Sequence, residues 1–188
     1  MVPVETLDRR RLSERDARAI SELLVGVWPK PGRTIDTLAT EMLNQWRAYA
    51  GPEEQHPRSF LVREGERVIA HASFDPRTIG TSEGDMTVLA LARVCSDPAL
   101  RGRHLGQAVV LAAFEVVDEG AFPFALFQTT EKVAPFYERL GAIRIGNRFV
   151  NSTAKDPTAS PWWDTAIMRY PSGPGWPEGE IDLRGPGW

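Results

Sequence analysis

Met86 to Val94 reads MTVLALARV, a run that is almost continuously apolar. A strand of this kind is buried on both faces, so other elements must cover it above and below. The chain then changes character abruptly. Ser96 to Gly102 is a polar turn through Asp97-Pro98, and a helix from about Arg103 to Glu119 follows, with Leu105, Val109, Ala112 and Val116 as its apolar stripe. A buried strand that feeds a helix through a short turn restricts the chain to mixed α/β folds built around a central sheet.

The flanking patterns agree. Val2 to Leu7 fits a short first strand. Ser13 is placed to cap a helix, with Glu14 and Asp16 in its first turn and Ala17, Ile20, Leu23, Leu24 and Val27 at helical spacing. Pro29, Pro31 and Gly32 end it. A second helix is expected from about Thr34 to Tyr49, then strands at Phe60–Val62 and Arg67–Phe74, the latter alternating through Val68, Ala70, Ala72 and Phe74. After the central helix come a strand at Phe124–Gln128, a helix at Glu131–Leu140 stopped by Gly141, and strands at Ala142–Val150 and Trp162–Tyr170. One domain is expected over residues 1–170. Residues 171–188 are rich in Pro and Gly, a composition that fits a frayed tail. Trp176, Trp188, Ile181 and Leu183 fit instead a packed extension with a short strand.

The chain has 188 residues and a net charge of −3, so no overall basic field points to nucleic acid or to an anionic membrane. Cys95 is the only cysteine, and no intramolecular disulfide can form. His56, His71 and His104 lack metal-ligand spacing, and no metal is expected. No signal pattern or membrane-length apolar run is visible, so the expectation is a cytoplasmic protein.

The chemistry centres on Arg101 to Gly106. A helix N-terminus presents unpaired N–H groups and partial positive charge, which suits an anion. Gly102 allows close backbone approach, and Arg101 and Arg103 add charge suited to phosphate. These features fit a pyrophosphate-bearing ligand. They also fit an ordinary strand-to-helix connection with solvated arginines.

The stretch V-x-S-D-P-x-x-R-G-x-x-L-G resembles the acetyl-CoA signature of the GNAT superfamily, written Arg/Gln-x-x-Gly-x-Gly/Ala. Arg101 and Gly106 match its ends, and His104 stands at the middle glycine. At the first turn of a helix His104 is expected at negative φ. Phe124 to Gly141 is similar to the superfamily's N-x-x-A-x-x-F-Y-x-x-x-G segment: Ala134, Phe136, Tyr137 and Gly141 match, and Glu131 replaces the Asn. The resemblance implies a central mixed sheet of about six to seven strands flanked by about four helices. It also implies acetyl-CoA as co-substrate and transfer of an acetyl group to a primary amine of a small molecule. Homodimers are common in this fold, so a homodimer is the expectation. A non-catalytic acyl-CoA sensor or interaction module is the alternative.

By the same resemblance Val94, Cys95, Ser96, Arg101, Gly102, Arg103, His104, Leu105, Gly106 and Tyr137 are cofactor contacts. Tyr137 also matches a general acid for the CoA thiolate, a role open to a phenol; a core tyrosine is the other reading. The signature strand carries no carboxylate, so Glu83, Asp85, His71 and water are the candidate bases; a hydrogen-bonded sheet histidine is the stronger reading of His71, and a solvated turn is the other reading of Glu83 and Asp85. Cys95 is a small buried residue or a nucleophile. The turn R-G-x-x-L and the ending Ile181 to Trp188 resemble aminoglycoside 2′-N-acetyltransferases, which implies Asp164, Asp182 and the Trp188 carboxylate as amine ligands. The acidic residue expected before that terminal Trp is absent, with Pro186 and Gly187 in its place.

Overall fold

The computed structural model describes residues 2–188. The chain forms two compact units: one holds residues up to Asp75 together with Ala92–Glu115, the other Pro76–Leu91 together with Val116–Trp188.

In the first unit, β1 (Glu5–Asp8) pairs antiparallel with β2 (Arg58–Glu64), and β2 pairs antiparallel with β3 (Arg67–Thr81), with Leu61 opposite His71. Helix α1 (Glu14–Val27) begins where Ser13 accepts a hydrogen bond from the Asp16 N–H, which satisfies one of the orphan donors of the first turn. Helix α2 (Ile35–Gln45) begins with a reciprocal box between Thr34 and Thr37. It stops short of the expected Tyr49, since Trp46 leaves helical geometry. Ile20, Leu24, Leu38, Met42, Leu61, Val68 and Cys95 form the core of this unit. The C-terminal end of β4 (Gly84–Ser96) and most of α3 (Leu105–Asp118) also belong to it.

Arg9 is fully buried in the same unit. Its guanidinium donates to the Phe74 carbonyl at 3.1 Å and to Gln45 Oε1 at 2.9 Å, and it pairs with Asp75. The Asp75 carboxylate offsets the cost of burying this charge, while Nε of Arg9 has no partner.

In the second unit, β4 pairs parallel with β5 (Ala125–Thr129), Leu89 opposite Ala125. Strand β5 pairs antiparallel with β8 (Ala166–Tyr170), which pairs with β6 (Ile143–Arg144). The expected strand at 142–150 is broken at Gly146 into β6 and β7 (Phe149–Val150), and β7 lies parallel to β9 (Ile181–Asp182). The described residues therefore hold nine strands rather than six or seven, because one predicted strand divides and the tail supplies another. Helix α4 (Ala134–Glu138) is shorter than predicted; Pro135 stands in its first turn, where the missing N–H costs nothing.

The 171–188 segment is packed in this unit. Ile181 and Leu183 are fully buried in a cluster with Ile79, Val88, Phe124, Leu126, Phe149 and Trp162. Trp176 Nε1 donates to Asn147 Oδ1 at 2.8 Å. Among the described residues no helix is long and apolar enough to cross a membrane.

Candidate functional site

The turn after β4 is built by local hydrogen bonds. Asp97 is buried; its N–H donates to the Ile69 carbonyl at 2.9 Å, and its carboxylate accepts from the Ala99 N–H at 2.8 Å and pairs with Arg67. The chain then runs through Arg101, Gly102, Arg103 and His104, all exposed, before Leu105 anchors α3 in the core. Gly102 lies at φ +81 with no atom within 4 Å of where a Cβ would stand. Its surroundings are open, and its left-handed backbone is the reason for glycine.

His104 corrects the expectation of negative φ: it lies at φ +56. The residue precedes α3 rather than joining its first turn. Its carbonyl accepts the first helical bond, from the Ala108 N–H at 3.0 Å. The chain must reverse at this point to aim the helix N-terminus, and a left-handed residue does so. That geometry explains why the matching position in the family signature is glycine. The His104 ring meets Gln107 Oε1 at 3.1 Å. The first N–H groups of α3 have no partner within the helix and face this turn.

The end of β4 holds the second feature. Arg93 is left-handed, at φ +54, inside a strand. Its carbonyl accepts from His71 Nδ1 at 2.8 Å, and His71 Nε2 meets Ser59 Oγ at 3.1 Å. His71 is fully buried, and burial pushes its pKa down to about 3. A ring so enclosed, with both nitrogens engaged, is suited to bracing a strand rather than to taking a proton from a bound amine. Cys95 is buried, and burial pushes its thiol up to about 12, far from thiolate chemistry at neutral pH. Val94 and Ser96 are half-buried.

The remaining candidates lie in the second unit. Tyr137 is 6% exposed and stacks against Phe127 and Phe136, with ring centroids 4.6 and 4.9 Å away. Glu131, at the position of the family's Asn, pairs with Arg144 and accepts from Thr165 Oγ1 at 3.2 Å. Arg144 holds its carboxyl below the usual range. Glu83 is exposed in the β3–β4 turn.

Asp85 and Asp182 are brought together through Arg184. The Arg184 guanidinium grips both Asp85 oxygens, and the main-chain N–H of Arg184 donates to Asp182 Oδ1 at 2.8 Å, which also accepts from the Ser152 N–H at 3.0 Å. Both carboxyls are held below the usual range, Asp85 by the Arg184 guanidinium and Asp182 by these hydrogen bonds against the opposing effect of burial. Asp164 and Trp188 are likewise joined, through Gln128. Its Oε1 accepts from the Trp163 and Asp164 N–H groups at 3.0 and 2.8 Å, and its Nε2 donates to the main-chain oxygen of Trp188 at 2.9 Å. Trp188 Nε1 donates to the Leu126 carbonyl at 3.0 Å.

Sequence reasoning missed Arg93, Gln128 and Arg184. Arg93 and Arg184 take left-handed backbone without being glycine, and no residue-type signal marks them. Gln128 sits in an otherwise apolar strand, FALFQT, which is the one signal that could have drawn notice. An open groove of ≈ 670 Å³ walled by Asn147, Arg169 and Trp176 contains none of the predicted site residues.

A mixed sheet whose β4 ends in a left-handed turn at the start of a long helix defines the acyltransferase class. Residues 8–144 match the family model described as the acetyltransferase (GNAT) domain, and the chain belongs to that family as an N-acetyltransferase. Solved structures share the fold at low identity. A Trypanosoma brucei acetyltransferase is 23% identical over 77% of this chain and 94% of its own, with TM-score 0.55. Escherichia coli ElaA is 16% identical over 90% and 99%, with TM-score 0.57. An acyl-CoA N-acyltransferase from Pseudomonas aeruginosa is 13% identical over 89% and 97%, with TM-score 0.58. No curated protein matches.

Proposed function

We propose that this acyltransferase moves an acetyl group from acetyl-CoA to a primary amine of a small molecule. The observation that carries the reading is the turn at Arg101–Gly106: open space at Gly102, two exposed arginines and the N-terminus of the 14-residue α3. A diphosphate needs N–H donors, positive charge and no side chain in its path, and this turn offers all three.

Acetyl-CoA, when bound, supplies an activated acyl thioester. The main chain at Val94, Cys95 and Ser96 would hold the pantetheine arm, and Arg101, Gly102, Arg103, His104, Leu105 and Gly106 would hold the diphosphate. Attack by the neutral amine forms the C–N bond and breaks the C–S bond. Tyr137 would give its phenolic proton to the departing sulfur and regain one from water. The proton lost from the nitrogen would pass to water or to the exposed Glu83, since His71 is enclosed and Asp85 is already paired with Arg184. Asp182 is engaged at Oδ1 by the main-chain N–H groups of Arg184 and Ser152, so with Asp85 paired a lone primary amine suits this chain better than an aminoglycoside polycation, which needs several uncommitted carboxylates. A cytoplasmic homodimer completes the reading.

Thermal unfolding with acetyl-CoA, CoA and ATP is the test. A ligand that binds only the folded state stabilises it by about 2.7 kcal/mol at a hundredfold excess over Kd. Stabilisation by acetyl-CoA and CoA but not ATP is expected, followed by thiol release across a panel of amines. No shift at millimolar acetyl-CoA would remove the main support for this reading. With a responsive amine in hand, Tyr137→Phe should lower kcat by about 10²-fold and leave CoA binding intact. An unchanged kcat would refute the acid assignment.

A further inference from the structure

His71, Ser59 and Arg93 form a buried polar chain inside the apolar sheet of the first unit. Polar groups are buried there only when their bonds are met, and each bond fixes geometry. A carbonyl can only accept, so the contact from His71 Nδ1 to the Arg93 oxygen at 2.8 Å requires the proton on Nδ1. Nε2 is then the acceptor, and the Ser59 hydroxyl donates to it at 3.1 Å. The enclosed ring stays neutral at physiological pH. Arg9 and Arg93 are the charged groups that act on it, and both oppose its protonation.

The carbonyl held by His71 belongs to the one non-glycine residue of β4 with left-handed backbone, Arg93, at φ +54. Such a residue is strained unless its surroundings fix it. In a planar trans peptide the N–H points opposite to the C=O. Holding the Arg93 oxygen against His71 therefore aims the Val94 N–H to the other side of the strand. The neighbouring Ala92 carbonyl accepts from Ser73 Oγ at 3.4 Å, a second tie on the same stretch.

We propose that His71, set by Ser59, is a positioning residue that fixes the 93–94 peptide so that the Val94 N–H meets the acyl carbonyl. The proposal rests on the acetyl-transfer reading for the acyl group, and on the first unit alone for the brace.

The test uses the full chain labelled with ¹⁵N, together with His71→Asn, His71→Leu and Ser59→Ala. Imidazole ¹⁵N spectra of the free protein should show His71 protonated at Nδ1 and bare at Nε2 from pH 5 to 8. The opposite tautomer would overturn the brace whatever the protein binds. Amide exchange at Asp97, whose N–H bonds the Ile69 carbonyl just past the braced peptide, should quicken at least tenfold in His71→Leu, and much less in His71→Asn, whose amide can still donate to the Arg93 carbonyl. Equal exchange in all variants would also overturn it. In turnover assays His71→Leu should lose at least tenfold in kcat while its Kd for CoA, which has no acyl carbonyl, moves less than twofold. His71→Asn should recover most of the rate, and Ser59→Ala should fall between. A rate within twofold of wild type in His71→Leu, or an equal loss in CoA affinity, would refute the positioning role. Wild-type protein that binds no CoA would refute the acetyl-transfer reading and the positioning role with it, while the tautomer and exchange results would still decide the brace.

Discussion

Shortening Leu183 to alanine tests whether the Pro/Gly-rich segment belongs to a core. Leu183 is 0% exposed and packs with Ile79, Val88, Phe124, Leu126, Phe149, Trp162 and Ile181. The change deletes three carbon atoms per side chain and leaves a cavity among neighbours held by the sheet. Leu→Ala at fully buried sites costs about 2–5 kcal/mol, the upper half where the walls cannot collapse. We take about 3 kcal/mol here, since strands β3, β4 and β5 hold one side of the cavity while Phe149 and Ile181, on two-residue strands, can shift towards it. For a chain of this size that corresponds to a fall in Tm of roughly 6–12 °C. Urea unfolding at 25 °C followed by tryptophan fluorescence and by far-UV circular dichroism measures it; two probes are needed because the chain has two compact units. Leu111→Ala is the control: the same deletion at a site 44% exposed should cost under about 1 kcal/mol. If Leu183→Ala costs no more than the control, the tail does not pack as described and the reasoning fails.

His104→Gly relieves a left-handed residue but gains unfolded-state entropy, so its stability should lie within about 0.5 kcal/mol of wild type. His104→Val keeps the strain and adds branching, and should be about 1–2 kcal/mol less stable than His104→Gly; equal urea midpoints for the two would refute the φ of +56. His71 should make stability fall with acid. Its folded pKa, about 3, lies below the ordinary value of 6.5, so the unfolded chain binds the extra proton between these pH values. The stability is fully present above pH 6.5 and is lost as pH falls towards 3. The loss should be about 2 kcal/mol between pH 7 and pH 5, and His71→Asn should abolish that part of the slope. A wild-type slope unchanged by that substitution would show that another group is responsible.

Much of the fold is written in local pattern. The unbroken run Met86–Val94 makes a strand covered on both sides, and the stripe in Arg103–Glu119 makes the helix that follows, within two residues at each end. Ser13 caps α1 because its hydroxyl and the Asp16 N–H are neighbours in sequence. The signature residues Arg101 and Gly106 and the segment around Phe136-Tyr137 carried the family for the same reason: short-range motifs survive in one chain without its relatives. The site was less legible. Whether Asp85 and Asp182 offer free carboxylates was decided by Arg184, 99 residues from the first and two from the second. Both ring nitrogens of His71 are engaged by groups the local sequence does not announce, a carbonyl 22 residues away and a hydroxyl 12 residues away.

The sequence by itself determined the order of elements, the location of the turn between β4 and α3 and the acyltransferase family, because each depends on residues a few positions apart. Only the tertiary structure decided that the Pro/Gly-rich tail is core, that His104 and Arg93 sit in left-handed backbone, and which charged groups are already neutralised. The physical reason is that burial, pairing and strain are set by distant parts of the chain meeting in space, and a desolvated ring or a paired carboxylate has different chemistry from the same residue in water.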